Sequence, residues 1–166
     1  MGERPKQGTT RLARRGDIGA VADLAREARR EARDYRGGER WMATEAAPEP
    51  LEGYLEELMA DPGAVVFAGV WEDAVVGYSW ARRIVRQDGS PIARIEELFV
   101  TPEARSVGVG ESLFNALAKW AREEQLTAMD AFVLPGHREA KNFFETFKMT
   151  AHALIVHTGI DQDQET

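Results

Sequence analysis

Ile95-Glu96-Glu97-Leu98-Phe99-Val100-Thr101-Pro102-Glu103-Ala104-Arg105-Ser106-Val107-Gly108-Val109-Gly110-Glu111-Ser112 is the stretch whose reading decides the fold. An apolar run predicts a strand, Pro102 a turn, and Arg105-x-x-Gly108-x-Gly110 a loop that opens into a helix over roughly 109–124. Gly108 and Gly110 carry no Cβ, so a ligand can approach the main chain closely. The first N–H groups of the helix lack intrahelical acceptors and point at the loop. With the helix dipole they suit phosphate oxygens, and Arg105 is expected to add a positive charge at the rim.

Two common phosphate loops are excluded. A Walker A loop needs Lys and then Ser or Thr after its second glycine, and Glu111 follows Gly110. A dinucleotide fingerprint needs a third glycine, and position 113 is Leu.

Working outward, Val65 to Trp71 and Ala74 to Val85 predict a hairpin around Glu72-Asp73, and Ile92 to Val100 the strand that follows. Upstream, Thr9 to Ala13 is a candidate first strand. Asp17 is a candidate N-cap for a helix with Ile18, Val21, Leu24 and Ala28 on one face. Arg26, Arg29, Arg30 and Arg33 occupy its other positions and are expected to be a solvated face, the alternative being a contact to a phosphate ligand or a partner. Residues 36–48 form a long connection containing Gly37-Gly38, Trp41 and Met42, followed by a helix with Leu51, Tyr54, Leu55, Leu58 and Met59 on one stripe. Downstream, Val109, Leu113, Leu117 and Trp120 share a helical face. Ala128 to Leu134 predicts a strand parallel to 92–100, because a helix separates the two. Ala140, Phe143, Phe144 and Phe147 predict a last helix, and Thr150 to Thr158 a final strand.

The 166 residues suit a single domain. The expected boundaries are a tail over 1–8, a folded domain over 9–158 and a polar tail over 159–166. Zero cysteines removes disulfides, thiol nucleophiles and thiolate metal sites, and three scattered histidines offer no metal-ligand spacing, so no metal is expected. No apolar run approaches a membrane span, and no signal-peptide segment opens the chain, so a cytoplasmic location without membrane contact is expected. The net charge of −7 divides unevenly. Residues 1–40 hold 11 Lys+Arg and 7 Asp+Glu, a balance of +4, and the remainder 10 and 21, a balance of −11. The acidity argues against nucleic acid as a partner and suits a cationic substrate.

The loop in this context resembles the acyl-CoA pyrophosphate loop of the GNAT superfamily of N-acetyltransferases, whose pattern is Gln/Arg-x-x-Gly-x-Gly/Ala. The predicted order β-α-α-β-β-β-α-β-α-β is also that family's order. The resemblance implies an α/β fold (α+β, mixed sheet), mostly antiparallel and splayed between the fourth and fifth strands. A second motif supports it: His137-Arg138-Glu139-Ala140-Lys141-Asn142-Phe143-Phe144-Glu145 stands where the family has Asn-x-x-Ala-x-x-Phe-Tyr-Glu. His137 replaces the usual Asn and Phe144 the usual Tyr.

The resemblance implies acetyl-CoA as cosubstrate and a small-molecule or peptidic primary amine as acceptor; a homodimer is compatible with it. It puts the thioester end against Leu98, Phe99 and Val100. The pyrophosphate falls on Arg105, Ser106, Val107, Gly108, Val109 and Gly110, with Glu111, Ser112, His137, Ala140, Phe143 and Phe144 as further cofactor-binding positions. The segment 36–48 would overlie the acceptor, or Trp41 would simply pin it to the core. Transfer would pass directly from thioester to amine, through an oxyanion held by a strand N–H. An amine with a pKa of about 10 needs a base at neutral pH. Glu96 and Glu97 are the candidates, and as neighbours on a strand they are expected to face opposite sides. Polyamine acetyltransferases resemble this stretch and align their catalytic Glu with Glu96. The family's Tyr protonates the departing thiolate. Phe144 has no proton to give, and its ring edge is expected to face the cleft. A thiolate with a pKa of about 8.5 needs little help, so water could serve, with His137 and His152 as lesser candidates. The alternative is a non-catalytic acyl-CoA-binding module.

Overall fold

The computed structural model describes residues 7–160, so residues 1–6 and 161–166 of the two expected tails lie outside the described residues. The described chain forms two compact units that divide after Gly136.

The first unit is a five-stranded sheet in the order β1 (Thr9–Leu12), β2 (Ala64–Trp71), β3 (Ala74–Val85), β4 (Pro91–Val100), β5 (Met129–Ala131). The first four strands pair antiparallel, and β5 lies parallel to β4. The turn between β2 and β3 places Glu72 and Asp73 at positive φ, which closes the hairpin in two residues. The parallel pair is reached through helix α4 (Val109–Glu123), as a parallel connection requires.

One face of the sheet is covered by α1 (Ile18–Ala32) and α3 (Leu51–Ala60). Ile18, Val21, Ala22, Leu24 and Ala25 of α1 join Leu51, Leu55 and Leu58 of α3, and together they bury Val66, Tyr78, Trp80 and Phe99. Each large apolar side chain buried this way contributes about 1.5–3 kcal/mol. On α4, Val109, Leu113, Phe114, Leu117 and Ala121 are buried. Val109 and Leu113 sit so close to β2 that a Cβ at Gly69 would lie 2.5 Å from Val109 Cγ1, which fixes that position as glycine.

Several expectations change. Asp17 stands before α1 without capping it; its carboxylate takes the Arg14 N–H at 2.7 Å and is clasped by the Arg11 guanidinium. Residues 36–48 are not an open connection but contain a short helix, α2 (Gly38–Thr44), entered through Gly37 at φ 82°. The fifth strand is three residues long, because its pairing with β4 runs only from Ala93↔Met129 to Ile95↔Ala131.

The second unit holds helix α5 (Arg138–Thr146), on which Phe143 meets Phe144 and Phe147 edge-on at 5.3 and 5.1 Å. The strand expected over 150–158 is absent. Leu154, Ile155 and Val156 are exposed and carry no ladder partner among the described residues, and β-prone residues form a strand only where a neighbour pairs with them.

Candidate active site

The glycine loop sits where the sequence puts it. A 3₁₀ turn (Pro102–Ala104) follows β4, and Gly108 stands at the N-cap of α4 with φ 82°, a conformation that favours glycine. No side chain caps α4, and its first intrahelical bond is Ser112 N–H to Gly108 O at 3.0 Å. The N–H groups of Val109, Gly110 and Glu111 therefore precede the helical ladder, at the positive end of the dipole. Gly108 and Gly110 are both partly exposed. A backbone cradle with uncapped donors fits a pyrophosphate, and the Gln7 side chain lies beside it, its Nε2 3.5 Å from where a Cβ on Gly108 would stand.

Arg105 stands at the rim of the loop and is bonded within the chain. Its Nη2 bonds Glu31 at 2.6 Å, its Nε–H donates to Val100 O at 3.0 Å, and its guanidinium lies 5.5 Å over the Phe99 ring. Its charge is already met by Glu31, so it braces the end of β4 against α1. Beyond Phe132 N–H to Ile95 O at 3.4 Å, no bond joins β4 to β5 among the described residues, so Leu98, Phe99 and Val100 lie past the paired part of that edge.

The two carboxylates share one face, against the alternation rule. Trp80 pairs with Glu97 and Ala81 with Ile95, so Glu96 is one extra residue in β4, a β-bulge. The bulge turns Glu96 toward α3. Its Oε2 lies 3.4 Å from Arg82 Nε and 3.5 Å from the Tyr54 hydroxyl. Glu97, opposite Trp80, points to the same layer. It is bound by Arg29 (Nη2–Oε1 3.0 Å) and accepts a hydrogen bond from the Tyr78 hydroxyl at 2.7 Å.

Their environments differ. The Glu97 side chain is 7% exposed, and burial pushes its carboxyl up although Arg29 and Tyr78 pull the other way. The same burial, with Glu97 beside it, lifts the Tyr78 phenol well above its ordinary range. The Glu96 side chain is 30% exposed, open to solvent where Glu97 is not. Burial likewise lifts the Tyr54 phenol, against the pull of Arg82. Arg82 also bonds Asp61 at 2.8 Å.

Arg29 was expected to be solvated and is instead a buried link. It donates to Ala25 O at 2.9 Å and Ala47 O at 3.1 Å, grips Glu97, and lies 5.6 Å under the Trp41 ring. Arg26 is likewise engaged, by Glu49 and Glu52, each at 2.9 Å. Trp41 stacks on Phe132 at 6.4 Å with the rings 17° apart. Sequence reasoning did not find Arg29, Tyr54, Tyr78, Arg82 or Phe132.

A family model described as the acetyltransferase (GNAT) family matches residues 24–149. The chain belongs to the GNAT acetyltransferase family. No curated protein sequence matches it. Among solved structures, a tetramutant of the BH1408 protein from Bacillus halodurans superposes with a TM-score of 0.76 at 18% identity, over 91% of this chain and 99% of that one. The aminoglycoside N-acetyltransferase AAC(6′)-Iy in complex with CoA gives 0.73 at 15% identity, over 96% and 99%. A ribosomal-protein-alanine N-acetyltransferase from Brucella melitensis biovar Abortus 2308 gives 0.64 at 16% identity, over 91% and 99%. At such identities these likenesses show the GNAT fold alone.

The second GNAT motif lies in the C-terminal unit. His137 holds the N-cap position of α5 without capping it, and Ala140 and Phe143 are half-buried on that helix. Phe144 is 8% exposed, so its ring does not turn an edge to solvent. On α5 it meets the Phe143 ring edge-on at 5.3 Å.

Proposed function

We propose that this GNAT protein is an acetyl-CoA-dependent N-acetyltransferase that passes the acetyl group directly to a primary amine, with Glu96 as the base. The observation that carries the proposal is the β4 bulge. It places an accessible carboxylate where β4 parts from β5, on the strand that runs straight into an uncapped helix N-terminus. Bound there, acetyl-CoA supplies an activated thioester carbonyl. The N–H groups of Val109, Gly110 and Glu111 hold its pyrophosphate, and Leu98 to Val100 offer main-chain groups to its arm. Glu96 first pairs with the acceptor's ammonium and then takes its proton, directly or through water, freeing the nitrogen lone pair for attack. The nitrogen adds to the thioester carbonyl, the C–S bond breaks as the resulting oxyanion collapses, and the second proton of the acylated nitrogen passes through water to the departing thiolate.

Arg82 and Tyr54 hold Glu96, and Arg29 and Tyr78 hold Glu97, so the two neighbours divide the work. Glu97 is a buried anchor and Glu96 the group that meets substrate. Aminoglycoside acetyltransferases and a ribosomal-protein-alanine acetyltransferase share this fold, so both small and peptidic amines are in scope.

A second reading, an acyl-CoA-binding module without turnover, is favoured by Phe144, which offers no proton. The two separate in one assay. Free thiol release from acetyl-CoA is measured with a panel of amines, alongside calorimetric titration of acetyl-CoA into the protein and into Gly110→Val. Amine-dependent release, with at least about tenfold weaker binding in Gly110→Val, supports the transferase. Binding without release supports the module. Unchanged affinity in a folded Gly110→Val removes the glycine loop from the cofactor site.

A further inference from the structure

The transferase reading leaves the acceptor unnamed, and two features beside Glu96 bear on it. The first is an apolar wall. β5 ends its pairing at Ile95, directly before Glu96, and the residue that follows β5, Phe132, keeps 41% of its surface exposed. Trp41 of α2 is half-buried and stacks on it. Leu134 approaches the turn into α2, where a Cβ on Gly37 would lie 3.9 Å from its Cδ2. Phe132 thus stands exposed just past β5, beside the strand that carries the base, with Trp41 stacked on it and Leu134 half-buried two residues on. A solitary exposed apolar side chain is ordinary, but a cluster beside a candidate base marks a binding surface.

The second feature is the local charge. Arg29 takes up the charge of Glu97. Arg82 lies between Asp61 and Glu96, so one guanidinium faces two carboxylates and one negative charge is left over. One surplus carboxylate matches one ammonium. An aminoglycoside or polyamine brings several, and each further ammonium would be desolvated without a partner.

We propose that the acceptor is a singly charged primary amine on an aromatic body, with its ammonium at Glu96 and its ring against Trp41 and Phe132. Aromatic rings gain from stacked and edge-on contacts beyond the area they bury, which favours an aryl body over an alkyl one of equal size. The inference rests on the transferase reading and adds the substrate class.

The test compares kcat/KM for phenethylamine, cyclohexylethylamine, spermidine and kanamycin. Phenethylamine is expected to lead both polycations by about tenfold or more, and cyclohexylethylamine by about threefold. In Trp41→Ala and Phe132→Ala, shown folded by thermal melting, the phenethylamine-to-cyclohexylethylamine ratio should fall to about one. Spermidine or kanamycin matching phenethylamine would overturn the aromatic site while leaving acetyl transfer intact. So would an aryl-to-alkyl ratio that the two substitutions leave untouched. Should no amine turn over, calorimetric titration of phenethylamine into the CoA-saturated protein decides. Binding that Trp41→Ala abolishes supports the aromatic site, and no binding overturns it. Failure of acetyl-CoA itself to bind would sink the transferase reading, and titration of phenethylamine into the protein alone would decide the aromatic site in the same way.

Discussion

Replacing Arg29 by methionine would keep the aliphatic stem of the side chain and remove its charge. Arg29 is 13% exposed and Glu97 7%, and the guanidinium makes hydrogen bonds to Ala25 O, Ala47 O and Glu97. Its removal leaves a carboxylate buried with only the Tyr78 hydroxyl as partner. Breaking a buried pair from one side costs about 3–5 kcal/mol, which lowers the melting temperature by about 6–20 °C in a chain of this size. The double variant Arg29→Met/Glu97→Gln removes the orphaned charge and leaves Tyr78 an acceptor, so it should recover at least about 2 kcal/mol. The pH dependence has a definite sign. Burial already raises the folded-state pKa of Glu97 above its unfolded value, and losing Arg29 raises it further. The folded single variant then binds more protons than the unfolded chain, so its deficit should grow as pH rises from the ordinary carboxylate range toward neutrality. Thermal denaturation of the three proteins from pH 5 to pH 8 measures this. A loss below about 1 kcal/mol for Arg29→Met, flat with pH, would refute the buried-anchor account of Glu97.

Two further outcomes follow. Phe144→Tyr should destabilise by about 1–3 kcal/mol, because Phe144 is 8% exposed and a buried hydroxyl needs a partner; an unchanged melting temperature with a raised kcat near pH 7 would show that the ring reaches the reaction. The Arg26 guanidinium pulls the Glu49 carboxyl from 4.5 down to about 2, so the stability it contributes is present above pH 4.5 and lost as pH falls toward 2. That contribution is exposed, so Glu49→Gln should flatten the acid limb of a melting curve at low ionic strength, and salt at about 1 M should erase the difference.

The order of elements was legible because each long helix and strand carries its own period. Ile18, Val21 and Leu24 on α1, and Val109, Leu113 and Leu117 on α4, state their burial without reference to any partner. The glycine loop was legible for a similar reason, since Gly108 at an N-cap is a local backbone requirement. Helix α2 was not, because seven residues are too few to show a period and Gly37-Gly38 reads as a turn. The strand expected over 150–158 failed because β-propensity cannot supply a neighbour. The same kind of limit governed the candidate site. Whether Glu96 and Glu97 share a face depends on a bulge, and a bulge is a property of two strands in register. Arg29 looked like one more arginine on a solvated helix face, because its partner Glu97 lies 68 residues away. Tyr54 and Arg82 joined Glu96 only once α3 and β3 were packed together.

The central claim is that the bulged Glu96, not the buried Glu97, takes the proton from the acceptor amine. Steady-state kinetics of Glu96→Gln with a primary amine and acetyl-CoA test it most directly, with acetyl-CoA affinity measured in parallel by calorimetry. The account predicts a fall in kcat of about 10²-fold or more, with the cofactor affinity unchanged. A Glu96→Gln variant within about threefold of the parent kcat, beside a folded Glu97→Gln variant that has lost activity, would contradict it.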